Sequence, residues 1–232
     1  MNPETIRDHG YIVELSYPPM NYTSQNLRDL VNDILARYNF TTVNYSQNQD
    51  EVVLSSPEGQ ERELTRAGFF RNRMFLEKGP IHGGTLESFL PVAEDVITLA
   101  VNRLRLPLFI QRNVIRIIAN PLGLNDSRVF IGSRVCSFSE EAIRVFGRPI
   151  HAVGLRWFFP PTNVNQPEYD VKIETLLRDA SLIFIENNGR FQQPINANQI
   201  QTVITNIRET RNFITTQIVN FLIQFNPRQA NT

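Results

Sequence analysis

Between residues 11 and 17 the chain reads YIVELSY. Tyr11, Val13, Leu15 and Tyr17 share one parity, while Ile12, Glu14 and Ser16 share the other. A period of two in the side chains is that of a half-buried strand. Pro18 and Pro19 end it, because a prolyl ring has no N–H for the ladder. After Thr23 or Ser24, either of which can cap a helix, the period lengthens to 3.6. Leu27, Leu30, Val31, Ile34, Leu35 and Tyr38 then fall on one face. Polar-rich strands are predicted at 41–46 and 51–55 around the turn Gln47-Asn48-Gln49-Asp50. A strand at 69–77 and a turn at Gly79-Pro80 follow. The second helix opens at Thr85, carries Phe89, Leu90, Ala93, Val96, Ile97, Ala100, Val101 and Leu104 on one side, and stops before Pro107.

The same order then recurs. A strand at 113–119 is closed by Pro121. At least one short helix lies within 127–146, clearest at 139–146 with Ser139 as cap and Gly147 as stop. Strands are predicted at 150–159, 169–175 and 182–186. A long last helix at about 198–224 turns Ile200, Val203, Ile204, Ile207, Ile214, Ile218, Phe221, Leu222 and Phe225 inward. The stretch MFLEKGPI before a helix ending VNRL resembles IFIENNGRF before a helix ending VNFL, which makes Glu77 and Glu186 equivalent. A true internal repeat and a mere recurrence of strand, turn and helix both account for this. The expected fold is α+β: two related β-α-β-β-β-α halves, 1–106 and 107–232, in one integrated unit. Together they form a curved antiparallel sheet with helices packed on one face. The other face is left for a ligand, a partner or a second subunit.

Composition sharpens this picture only a little. With 16 Phe in 232 residues, the chain has the bulk to fill a core without metal or disulfide. Lys+Arg and Asp+Glu balance at 23 each, which argues against general affinity for nucleic acid or an anionic membrane. Lys occurs only at 78 and 172, so the positive charge is almost all Arg, suited to bidentate pairing and stacking. Cys136 is the single cysteine, which excludes an intrachain disulfide and suits a reducing compartment. The first residues lack the apolar run of a signal peptide, and no run of 18 apolar residues occurs. A cytoplasmic location is the expectation.

The segment GLRWFFPPTN, with YDVKIETLLRDASLIFIENNGRF and the long helix after it, resembles a sporadically distributed family of bacterial proteins of roughly this length. Members carry a similar strand, Leu-Arg-Asp and strand-Glu arrangement near the C-terminus. The resemblance covers about a third of the chain. It implies a bacterial, cytoplasmic α+β protein, and brings no activity, cofactor or catalytic residue with it.

The chemistry-bearing residues are weighed one group at a time. Cys136 and His151 would make a nucleophile and base if the fold joined them, but a lone cysteine is usually a small buried apolar residue. His9, His82 and His151 lack metal-ligand spacing, and Asp170, Glu174 and Asp179 read as a solvated strand face; no metal and no cofactor is expected. GPIHGGT at 79–85 precedes a helix and could hold an anion, but a turn and an N-cap explain its glycines. GxSxG is absent.

Arg71, Arg73, Arg116 and Arg156 stand on or beside strands, the last next to Trp157. With Glu186 they form the candidate ligand or partner surface. The competing reading pairs these arginines with strand carboxylates such as Glu14, Glu77, Asp170 and Glu174. The functional expectation is a non-catalytic binding or protein-interaction module, with a homo-oligomer among its forms. An unrecognised hydrolase or transferase built from Cys136, His151, Arg156 and Glu186 is the first alternative. Single-stranded nucleic-acid binding on the sheet face is the second.

Overall fold

The alternation at 11–17 belongs to a longer strand, Arg7–Ser16 (β1), whose Tyr11, Val13 and Leu15 are buried. The computed structural model of the chain describes residues 1–56, 64–79 and 85–227. In it Ser24–Leu35 (α1) is capped by Thr23, and the Asn26 side chain reciprocates to the Thr23 backbone. Strands Thr42–Tyr45 (β2), Val52–Ser55 (β3), Arg66–Phe69 (β4) and Arg73–Lys78 (β5) follow. The helix Leu86–Leu104 (α2) has Thr85 as its cap. Next come Leu108–Ala119 (β6), the single turn Ser127–Val129 (α3) running into a π-helical segment at Phe130–Val135, and Glu140–Arg144 (α4). Strands Gly154–Phe159 (β7), Glu168–Thr175 (β8) and Ile183–Asn196 (β9) lead to Ile200–Asn212 (α5). A second π-helical segment, Phe213–Ile218, connects α5 to Val219–Ile223 (α6).

The nine strands among the described residues form one antiparallel sheet in the order β2-β3-β4-β5-β1-β6-β9-β8-β7. The two halves use the same ladders. Ile12 faces Glu77 in one half and Arg116 faces Glu186 in the other; Leu15 faces Met74 as Ala119 faces Ile183. Arg66 faces Glu77 as Lys172 faces Glu186, and Leu54 faces Ala67 as Leu155 faces Ile173. This correspondence carries Tyr11 onto Ile115, and those two residues face each other across β1 and β6. A local two-fold therefore passes between the two central strands. β3 corresponds to β7. β2 is an added strand on the outer edge of β3, with no counterpart beyond β7 among the described residues.

The helices α1, α2 and α5 lie on one face of the sheet, α2 against both others, and α5 rests on β6 and β9. Their apolar stripes meet Tyr11, Val13, Phe109, Ile115, Ile117 and Ile185 in one core. Under α5 the core turns polar. Asn206 donates to Gln111 Oε1 at 2.8 Å, Asn113 donates to Thr210 Oγ1 at 3.2 Å, and Asn187 donates to the Thr210 carbonyl at 3.0 Å. These buried amides fix the register of α5 on the sheet, since a slip would leave them without partners. Just beyond, Thr215 and Thr216 bond back to the carbonyls of Arg211 and Asn212, and the helix widens into its π segment.

Several boundaries differ from the sequence expectation. The strand expected at 69–77 is two strands, β4 and β5, with Phe70 donating to the Arg73 carbonyl across the reversal between them. The strand expected at 113–119 begins at Leu108 because Gln111 and Asn113, polar in sequence, point into the core. The strand expected at 182–186 continues to Asn196. Asn187-Asn188-Gly189 looks like a turn but stays in the ladder, and Gly189 is needed there, since a Cβ would sit 2.8 Å from Thr210 Oγ1. The helix expected at 139–146 is the shorter α4, the strand expected at 150–159 begins at Gly154, and the last helix runs from Ile200 to Ile223.

Candidate functional site

Parity divides the strands. On the face away from the helices lie Glu14, Arg73, Glu77, Arg116, Glu186, Arg156 and Asp170, and this face is a mosaic of ion pairs. Arg116 Nε donates to Glu186 Oε2 at 2.8 Å while Lys172 reaches Glu186 Oε1 at 3.3 Å. Arg156 grips Asp170 with two bonds of 2.7 and 2.5 Å. The Arg156 hydrogen bond and charge hold the Asp170 carboxyl below the usual carboxylate range against its partial burial. Arg73 lies 3.8 Å from Glu14, with its guanidinium over the Phe70 ring at 4.9 Å. Arg71 sits in the β4–β5 reversal and pairs with Asp50 at 2.5 Å.

Of the six sequence-predicted site residues the fold joins Arg116 to Glu186, and it gathers the six at no single point. Arg73, Arg116, Arg156 and Glu186 share the open face but are spread over β5, β6, β7 and β9, about 4.8 Å per strand apart. Arg71 belongs to a loop pair, and Trp157 points to the helix side. The Cys136 thiol closes the first π segment and is pushed up by burial. His151 is exposed in the stretch before β7. Of the 79–85 segment, residues 80–84, His82 included, lie outside the described residues; Thr85 serves as the α2 cap.

What the fold does gather is a cluster of aromatic side chains at the β7 end of the sheet. Trp157 meets Phe221 edge-on with centroids 4.8 Å apart, Phe159 meets Phe213 at 5.1 Å, and Tyr169 stacks on Phe213 at 4.1 Å. The π segment carries Phe213 and Ile218 and delivers Phe221 over β7, leaving an apolar groove of about 700 Å³ between strand and helix. β7 closes the described sheet at this end, so its outer row of backbone N–H and C=O groups has no ladder partner among the described residues. Phe158, on the opposite face of the same strand, is 59% exposed. A smaller polar pocket of about 170 Å³ lies where β9 meets α5, walled by Gln166, Gln193, Gln199 and Asn206 with Phe191.

Trp157 stands beside Arg156 in sequence, but its ring packs against Phe221 and Phe159, with Phe213 against Phe159, and neither helix aromatic is among the sequence-derived site residues. The signal for them was the spacing Phe213, Phe221, Phe225 on the last helix, too apolar a side for a strand edge to fill alone. Among the described residues no group of three or more His, Cys, Asp or Glu is placed to hold a metal ion. No helix among them is long and apolar enough to cross a membrane. Comparison with known proteins gives no matching family model and no matching curated protein.

Proposed function

We propose that this chain is a non-catalytic protein-interaction module that engages its partner along the outer edge of β7. The observation that carries the reading is a six-residue strand whose outer edge has no ladder partner among the described residues, bordered by an aromatic groove. Strand edges are sticky, and proteins usually blunt them with charge, proline or a covering element. Here the edge offers Trp157, Phe158 and Phe159 with a single charge, Arg156. Adding a strand supplies main-chain hydrogen bonds, while the groove beside it receives apolar side chains at every second residue. The ion-paired open face is the weaker candidate, because a ligand there must displace Glu186 or Asp170 from arginines already satisfied.

The test is a photo-crosslinking phenylalanine analogue placed at Phe158, and separately at Phe184 on the open face of β9, in cells of the native host. Adducts from position 158 in clear excess over those from position 184 are the expected result. Adducts from 184 with none from 158 would move the interaction to the open face and overturn the edge reading.

A further inference from the structure

We infer that the partner along β7 is a second copy of this chain, joined by a two-fold that sets Trp157 against Trp157 and Arg156 opposite Phe158 of the partner subunit. The inference rests on the edge reading above and adds the identity and register of what covers the edge.

The geometry narrows the pairing. Thr175 N donates to the Val153 carbonyl at 3.0 Å, so residues of that parity direct their backbone toward β8. Gly154, Arg156 and Phe158 therefore turn their N–H and C=O groups outward, free for a new ladder. An antiparallel copy must also keep the two helix layers on the same side, which requires residues of equal parity to face each other. Four registers that pair three or more residues of β7 on itself satisfy this; the one centred on Leu155 pairs only 154–156, against five residues for a centre on Arg156 or Trp157, which leaves three to weigh. One sets Arg156 against Arg156, a like-charge contact on a sheet face. Another centres on Phe158 and sets Arg156 against Pro160, whose nitrogen has no hydrogen to give. The third centres on Trp157. It pairs Arg156 with Phe158 twice over and returns the hydrogen bonds of both residues reciprocally. A guanidinium then lies beside an aromatic ring at each pair.

Three further features agree with a symmetric copy. On the helix side this register sets Leu155 opposite Phe159, so the two aromatic grooves merge across the axis. The stretch 137–152, which leads into β7, has no buried residue among those whose side chains are described. It exposes Phe138, Val145 and Phe146, the last at 62%, which extends the apolar surface past the strand itself. The first half also shows what such an edge takes: β3, the counterpart of β7, is covered by the antiparallel strand β2. A two-fold contact is closed and self-limiting, whereas adding β2 of one copy to β7 of the next would propagate into filaments.

The test uses the full-length chain and substitutions at exposed positions. In a Cys136→Ser background, Arg156→Cys and Phe158→Cys are purified separately, mixed and oxidised. Sedimentation and native mass spectrometry of the parent protein are run over a wide concentration range. The expected result is a parent species of twice the chain mass, a disulfide dimer in the mixture, and little dimer from either variant alone. Phe158→Lys, which sets a lysine opposite Arg156, should raise the dimer dissociation constant by about tenfold or more. A parent that stays monomeric at every concentration overturns self-pairing. So does a disulfide formed by Arg156→Cys alone, which marks the like-charge register, or a mass that grows past the dimer. A monomer that still gives adducts to another protein from position 158 overturns only the second copy and leaves the edge reading standing. A monomer without such adducts sinks both.

Discussion

Glu77 and Glu186 occupy the same rung of two matching ladders. Each faces a residue of its half's central strand, and each takes a cation from the strand on its other side, Arg66 to Glu77 and Lys172 to Glu186, both at 3.3 Å. The second site is the tighter one, because Arg116 closes on Glu186 from β6 at 2.8 Å, where the first half has Ile12.

That difference predicts a pH dependence. Burial works to raise the Glu186 carboxyl, but the hydrogen bond and charge of Arg116, with Lys172 beside it, outweigh burial and hold it below the usual carboxylate range. A carboxyl lowered in the folded state takes up its proton more readily in the unfolded chain. Its stabilisation is complete above the unfolded pKa of about 4.3 and is lost as pH falls through the folded value. Thermal melts from pH 7 to pH 3 should show Glu186→Gln less stable than the parent at neutral pH and less sensitive to acid. Parallel curves for the two proteins would refute the assignment.

Asp8 and Glu87 both pair with arginines of α5 and should respond differently. Asp8 is 6% exposed; it accepts Arg211 Nε at 2.9 Å and also the Leu86 N–H at the start of α2. Removing a buried charge leaves its partner stranded, so Asp8→Asn should cost about 3 kcal/mol in urea unfolding. Glu87, at 68% exposure, meets Arg208 on the surface, and Glu87→Gln should fall within measurement error. Equal losses would show that Asp8 is not the tie between β1, α2 and α5.

The amides under α5 should behave as a unit. Asn113→Ala and Thr210→Val each remove one side of a buried hydrogen bond and should destabilise by about 1–3 kcal/mol. Because they share that bond, the double variant should lose less than the sum of the two, with a coupling on the order of 1 kcal/mol. Strict additivity would mean that the two side chains act independently.

Gly189→Ala tests the close approach of β9 to α5. The new methyl would lie 2.8 Å from Thr210 Oγ1 and 3.1 Å from the Tyr169 ring. A loss of about 1–3 kcal/mol is expected from overpacking. An unchanged urea midpoint would show that α5 yields freely at this point.

The periodicities determined the class and most elements. Thr23 and Thr85 announce their helices through local hydrogen bonds, and Tyr11, Val13 and Leu15 announce their strand, because capping and burial act on neighbouring residues. Local preference gives way where a distant contact outweighs it. Asn187, Asn188 and Gly189 carry turn chemistry, yet the first bonds to the Thr210 carbonyl and the last makes room for Thr210 and Tyr169, so the strand runs on. Arg156 and Trp157 were legible as a pair of interesting neighbours, but adjacent residues on a strand face opposite ways, and the fold sends one to Asp170 and the other to Phe221.

The sequence by itself therefore determined two similar runs of strands and helices and the residues that line their core, since both follow from the order of apolar side chains along the chain. Only the tertiary structure decided that β1 and β6 meet at a local two-fold, that β2 covers one end of the sheet, and that β7 is left at the other beside its aromatic groove. Strand order is set by contacts between residues far apart in the chain, where closing the loop costs entropy and packing against the helix layer returns it. No local pattern encodes which strand will be last.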